Sequence, residues 1–183
     1  MKVIKTKIEG LLIIEPDVFG DKRGFFVETY NKERYQKGGI EPEFVQDNLS
    51  KSAKGVLRGL HSQKEPYAQG KLVQVVTGAV LDVAVDARPN SPTYGQWESV
   101  ELTEENKKQF WLPAGFLHGF ITLKDDTIFN YKCTNLYNPE SEVGVAWDDE
   151  DLNVDWQLDK YGIDKPIISE KDKKGVSFKN LII

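Results

Sequence analysis

The chain has a single cysteine, Cys133, and two histidines, His61 and His118, among 183 residues. One cysteine excludes an intrachain disulfide and gives no sign of an oxidising compartment. Two histidines are too few for the usual three-protein-ligand zinc site unless carboxylates fill in, and neither sits at metal-ligand spacing from a neighbour. No metal and no cofactor is therefore expected. No apolar run approaches the ~20 residues needed to span a bilayer. The start, Met1-Lys2-Val3-Ile4-Lys5, leads into no long apolar region, so no signal peptide is expected. There is no glycine-rich phosphate loop, no nucleophile elbow and no paired-cysteine motif. Basic residues number 24 against 29 acidic ones, a net charge of −5, which argues against a general nucleic-acid binder. Repeats, low-complexity stretches and linkers are absent too. One cytoplasmic domain over residues 1–183, away from membrane and nucleic acid, is the expectation.

What is present is short strands. Leu11-Leu12-Ile13-Ile14 is apolar and stops at Pro16. Asp17 to Gly24 reads as a loop containing Arg23. Phe25 to Tyr30 reads as a strand with Phe26 and Glu28 on one face. Asn31 can cap a short helix that Gly38-Gly39 ends. Phe44 to Leu49 is strand-like, with Gln46 and Asn48 on a shared face. From Lys71 to Arg88, two branched runs flank Thr77-Gly78, which predicts a hairpin with a tight turn. In its second run Asp82, Ala84 and Asp86 share a face that is usually solvent-facing but could line a polar cavity. Trp97 to Leu102 is a further strand. Pro113-Ala-Gly115 is a turn before Phe116 to Leu123. Thr127 to Thr134 places Phe129, Tyr131 and Cys133 together. About ten short strands with almost no helix predict an all-β sandwich or barrel, and a cupin-type jelly roll fits. Such a barrel can hold one small ligand.

The stretch Gly55-Val-Leu-Arg-Gly-Leu-His-Ser-Gln63 stands out. It reads as a strand, yet carries Arg58 and His61. In a regular strand these two have opposite parity and face opposite sides. For both to enter one cavity, Gly59 must supply a bulge or bend. The alternative is a surface arginine beside a hydrogen-bonded core histidine. With metal, phosphate-loop and thiol chemistry set aside, proton transfer remains. A histidine can act as base near neutral pH, a tyrosine can return a proton, and a lysine can stabilise an oxyanion. His61, Tyr131 and Lys71 have the right chemistry, and spacing alone does not bring them together.

Taken together, eight segments resemble the dTDP-4-dehydrorhamnose 3,5-epimerase family. They are Asp21-Lys-Arg-Gly-Phe-Phe-Val-Glu28, Phe44-Val-Gln-Asp-Asn48, Gly55 to Gln63, Lys71-Leu-Val-Gln-Val-Val76, Pro113-Ala-Gly-Phe-Leu-His-Gly-Phe120, Tyr131-Lys-Cys-Thr134, Glu142-Val-Gly-Val-Ala-Trp147 and Ser169-Glu-Lys-Asp172. They run in the family's order. The resemblance implies a cupin-fold isomerase acting on a dTDP-4-keto-6-deoxy sugar. His61 would be the base, oriented by Asp172. Lys71 would stabilise the enolate and Tyr131 would deliver the proton from the opposite face. Asp82 would orient His118 toward the sugar. Arg23 and Arg58 would meet the diphosphate, and Glu28, Gln46 and Asn48 the thymidine end. Glu142 and Lys171 would complete the pocket, with Phe26 or Tyr137 stacking on the base. The family implies a homodimer with exchanged N-terminal strands. Two positions depart from its pattern. Ser62 stands where an aromatic is common, and Gln74 where arginine is often found. The alternatives are a single-centre epimerase of another deoxysugar pathway, a related ketoisomerase, or a non-catalytic sugar-nucleotide-binding barrel. A binding barrel has no need of a donor opposite a base.

Overall fold

A computed structural model describes residues 1–183. Two six-stranded sheets face each other. The first is ordered β1 (Lys2–Lys5), β2 (Leu12–Glu15), β10 (Gln109–Leu112), β7 (Lys71–Thr77), β12 (Thr127–Cys133) and β5 (Gln46–Ser52). The second is ordered β13 (Glu142–Gly144), β6 (Val56–Gln63), β11 (Phe116–Thr122), β8 (Ala79–Asp86) and β9 (Trp97–Thr103), with β14 (Ile167–Ile168) pairing in parallel to β6. The all-β barrel expected from the alternating runs is present.

Alternation along each strand decides what meets between the sheets. Val73 and Val75 of β7 pack there with Val80 and Ala84 of β8, Phe116 and Phe120 of β11, and Phe129 of β12. The odd residues of β8, Leu81, Val83 and Val85, face outward. There the segment after β13 covers them with Leu152, Trp156, Ile163 and Phe178. The outer face of the first sheet is covered by the one helix, α1 (Lys32–Lys37), through Tyr35, which packs near Trp111 and Leu72. Asn31 caps α1 as its position predicts, its side chain accepting from the Arg34 amide at 3.2 Å.

The hairpin expected about Thr77-Gly78 does not form. β7 and β8 belong to opposite sheets, and Gly78 is the corner between them. Each run places apolar residues on both of its faces and fills a central place in its own sheet, so the two meet face to face. Gly78 has φ +86°, and a side chain there would overlap Thr127. The loop expected at Asp17 to Gly24 is instead half of a two-stranded ribbon, β3 (Val18–Asp21) with β4 (Gly24–Val27). Its turn is built by Asp21, whose carboxylate accepts from the Arg23 amide at 2.8 Å. The aspartates of β8 are not solvent-facing. Asp82 and Asp86 are both fully buried. Asp86 accepts from Arg88, Ser91 and Thr93 at 2.6–2.8 Å.

The bulge required of Gly59 is present. His118 of β11 pairs with His61 and Phe120 with Arg58, so Gly59 and Leu60 together oppose Gly119 alone. Beyond the bulge the parity of β6 is inverted. Leu57 and Leu60 enter the outer core, while Arg58 and His61 both face the interior cavity. Gly59 has φ +119°, and a Cβ there would lie 2.5 Å from Gly119 Cα and 2.7 Å from the His118 carbonyl oxygen. Backbone cannot retreat from such a contact as a flexible side chain could. Gly59→Ala is expected to cost about 1–3 kcal/mol, the usual range for overpacking, read as a lowered urea midpoint at unchanged m-value.

Candidate active site

A cavity of about 630 Å³ opens between the sheets at the end where β6, β7, β12 and β13 converge. The second sheet supplies Arg58, His61, His118 and Glu142 to its lining, and the first supplies Gln46, Asn48, Lys71 and Tyr131. The chain's C-terminal segment adds Lys171 and Asp172. With Tyr137, which also lines the cavity, eleven of the residues given a role in the sequence therefore meet in one place. Asp82 lies directly behind His118. Arg23, Phe26 and Glu28 do not reach this cavity. They sit in or just after the β3–β4 ribbon, where Phe26 is 68% exposed and Arg23 pairs with Asp21 at 2.5 Å.

Both histidines are held by carboxylates. His118 Nε2 lies 2.9 Å and 3.1 Å from the two oxygens of Asp82, and both residues are buried. The ring also stacks against Phe129 of the facing sheet. Burial pushes the Asp82 carboxyl above its ordinary value, and His118 and Lys71 offset part of that rise. His61 Nε2 lies 2.6 Å from Asp172 Oδ1. Burial raises the Asp172 carboxyl, but the His61 imidazole, Ser169 and Lys171 together hold it below the ordinary carboxylate value. The Ser169 hydroxyl accepts from the Asp172 amide at 3.1 Å, which fixes the turn that carries the dyad's acid.

The facing wall is differently charged. Burial pushes the Lys71 ammonium below its ordinary value, with Cys133, Asp82 and Glu142 pulling it back up. Lys71 has no ion-pair partner within the chain, so a half-buried lysine is left facing the cavity. Burial raises the Tyr131 phenol, which keeps it protonated and able to donate at neutral pH. Tyr131 stands opposite Asn48 in the register of β12 and β5, and Cys133 opposite both Lys71 and Gln46. Arg58 is exposed at the mouth and donates to Ser52 Oγ at 3.3 Å. Of the two departures from the family's pattern, Ser62 lines the cavity. Gln74 points to the other face of its sheet, accepting from Gln109 at 2.9 Å, so it leaves this lining unchanged.

Gln63, Gln69, Phe120 and Ser169 also line the cavity and were not singled out. Gln63 shares the inward parity of His61 beyond the bulge, and that parity was the available signal. It is spent on structure, since Gln63 donates to the carbonyls of Tyr67 and Leu136.

A two-sheet barrel with a histidine–aspartate dyad facing a tyrosine and a half-buried lysine has the make-up of a cupin-type isomerase. Comparison with known proteins makes the class specific. Residues 5–180 match the family described as dTDP-4-dehydrorhamnose 3,5-epimerase, and the chain belongs to that family. It is 54% identical over 172 residues to the dTDP-4-dehydrorhamnose 3,5-epimerase of Methanothermobacter thermautotrophicus, covering 94% of this chain and 91% of the relative. The crystal structure of the dTDP-6-deoxy-D-glucose-3,5-epimerase of Legionella pneumophila, in complex with dTDP-4-keto-L-rhamnose, is similar at TM-score 0.94 and 48% identity, over 99% of this chain and 94% of that one. A 3'-monoepimerase from Streptomyces bikiniensis in complex with dTDP-quinovose is similar at TM-score 0.88 and 34% identity, over 95% of this chain and 86% of that one.

The Asp172 shift has a consequence for stability. Its folded-state pKa lies below its unfolded value of about 4. The stability it contributes is thus complete above that pH and is lost as pH falls through the lower folded-state value. Urea unfolding across acid pH is expected to show this loss in the wild type. Asp172→Asn should lack that component.

Proposed function

We infer that this chain is a dTDP-4-dehydrorhamnose 3,5-epimerase, converting dTDP-4-dehydro-6-deoxy-D-glucose to dTDP-4-dehydro-L-rhamnose. The observation that carries the mechanism is that His61 and Tyr131 stand on facing sheets with the cavity between them. A sugar ring lying in that gap presents one face to the base and the other to the acid. The ketone at carbon 4 acidifies the hydrogens at carbons 3 and 5. His61 takes such a proton, and Asp172, at 2.6 Å from Nε2, stabilises the imidazolium and leaves Nδ1 as the accepting nitrogen. The electron pair moves onto the carbon 4 oxygen, where Lys71 meets the negative charge. Tyr131 then protonates the same carbon from the other side and inverts it. His118, braced by Asp82, contacts the sugar.

Nucleotide recognition falls to residues nearer the mouth. Arg58 suits the diphosphate, because a planar guanidinium can pair with two phosphate oxygens. Gln46 and Asn48 face the nucleoside, while Glu142 and Lys171 pair with each other at the rim. Arg23, Phe26 and Glu28 are proposed to serve a second copy of the chain. Phe19, Phe25 and Phe26 of the β3–β4 ribbon are all 60% or more exposed, more apolar surface than a lone ribbon leaves in water. In a homodimer with exchanged N-terminal strands the ribbon reaches the partner's cavity mouth, with Phe26 placed to stack on the base and Arg23 on the diphosphate. Residues 1–183 work as one unit. No helix is long and apolar enough to cross a membrane; a cytoplasmic site of action is our proposal, supported by the nucleotide-sugar substrate.

Turnover of dTDP-4-keto-6-deoxyglucose in heavy water, followed by NMR with no metal added, tests this reading. Deuterium is expected at carbons 3 and 5. Label and inversion at one carbon only would make the protein a monoepimerase. Nucleotide binding without any label would leave a binding barrel. His61→Asn is expected to lower turnover by about 10²–10⁴-fold, the range of general-base catalysis, while dTDP still binds. Tyr131→Phe should suppress inversion more than it suppresses exchange of substrate hydrogen.

A further inference from the structure

Asp172 reaches His61 on a short loop whose two ends are firmly tied. Upstream, Ile167 and Ile168 pair with Val56 and Leu57 of β6. Downstream, the Val176 amide donates to the Gly144 carbonyl at 3.0 Å, and the Ala146 amide donates to the Val176 carbonyl at 3.0 Å. Gly175 packs so closely on this strand that a Cβ would lie 2.5 Å from the Ala146 nitrogen. Between these ties, residues 169–174 bond mostly among themselves. Asp172 donates its amide to Ser169, and Lys173 pairs with Glu170.

Two residues of this loop make its polar contacts with the barrel. One is Asp172, through the dyad with His61. The other is Lys171, whose ammonium lies 2.5 Å from Glu142 Oε1. The second oxygen of Glu142 accepts from the Tyr137 hydroxyl at 2.7 Å. Both carboxylate oxygens are thereby engaged by the protein, and the Glu142 side chain is only 12% exposed. Burial pushes this carboxyl up, but Lys171 and Tyr137 outweigh it and keep Glu142 ionised below its ordinary value. Glu142 is also well founded. It lies in β13, opposite Gln63 of β6, and two residues on Gly144 lies opposite His61.

The setting shows what the pair prevents. His61, Tyr137, Glu142, Lys171 and Asp172 form a partition, with the substrate cavity on one side and a second cavity of about 740 Å³ on the other. Glu170, Lys174 and Ile182 line the far side, and Ile182 is 75% exposed, so that cavity is open to water. A loop free to swing toward it would carry Asp172 off the imidazole. Lys171 is the residue next to Asp172. Released from Glu142, its ammonium becomes a competing partner for the Asp172 carboxylate.

We propose that Glu142 is a positioning residue. Through Lys171 it holds Asp172 against His61 and keeps the neighbouring cation from capturing that carboxylate. The proposal rests on the proton-transfer reading above and assigns Glu142 a role in catalysis without contact to the sugar. It also makes Tyr137 the brace of Glu142.

Kinetics and imidazole NMR test it together. Glu142→Gln is expected to lower kcat about 10–100-fold, the scale at which a misplaced group loses its alignment, with the KM for the keto sugar within about twofold. Lys171→Met is expected to lower kcat in the same manner. The double variant should be no worse than Glu142→Gln, because both substitutions break one unit. A raised KM with kcat preserved, or effects that multiply in the double variant, would overturn the proposal and make Glu142 a substrate contact. The chain has two histidines, so ¹⁵N–¹H spectra of the free protein resolve each ring, with His61→Asn as the assignment. In the wild type the His61 proton is expected on Nε2, facing Asp172. In Glu142→Gln that preference should be lost while the His118 signals stay fixed. An unchanged His61 tautomer overturns the proposal. This readout needs no substrate, so an enzyme inactive on the keto sugar whose His61 still responds would overturn the proposed function and leave the Glu142 role standing. Should Glu142→Gln fail to fold, Lys171→Met, altering a side chain 62% exposed, decides by the same spectrum.

Discussion

Everything at the site depends on how closely β6 and β11 approach at Gly59 and Gly119. No side chain fits between them, and that contact lets β6 carry one residue more than its partner. The extra residue inverts the strand's parity, which brings a fixed cation and a base to the same side. The same inversion sends Leu57 and Leu60 into the outer core, where they are 1% and 0% exposed. Fully burying a leucine is worth roughly 1.5–3 kcal/mol. Slipping β6 by one residue would forfeit that burial as well as the site. The hydrophobic core behind the second sheet thus enforces the polar geometry in front of it.

The two walls of the cavity are built on different electrostatic plans. On the second sheet each histidine has its own carboxylate, so charge is matched within the wall. On the first sheet Lys71 has no such partner and Tyr131 keeps its proton through burial. Negative charge that develops on a bound ring therefore meets Lys71 and an acid on one side and a base on the other. Burial that would be costly for Lys71 in an idle pocket becomes favourable once an oxyanion forms.

Much of this was legible in the chain. Alternation predicted the inner row Phe129, Tyr131, Cys133, the shared face of Gln46 and Asn48, and the need for a bulge at Gly59. The helix cap at Asn31 was legible because capping is local. What could not be read depends on partners distant in sequence. Thr77-Gly78 has a hairpin's composition, and only the demand of both flanking runs for burial on both faces places them in different sheets. Strand β3 looked like a loop, while its partner β4 read as a strand, because Val18–Asp21 is exposed throughout and carries no alternation of burial. Asp82 and Asp86 share one strand face and are both buried, yet one braces a histidine and the other clamps a loop. Position on a strand does not distinguish those tasks. The partnership of Glu142 with Lys171 left no local pattern at all.

Asp172 arrives late. All the strands of the cavity walls but the two-residue β14 end at Gly144, and the dyad's acid is supplied by the segment that follows, after that segment has covered the outside of the second sheet. During synthesis the ribosome releases every other proton-transfer group before this one. A chain cut short after β13 retains the barrel strands, His61, Lys71 and Tyr131, but has no Asp172 with which to set its base. Proton-transfer competence is thereby tied to the segment after β13, which supplies both the dyad's acid and the outer core behind the second sheet.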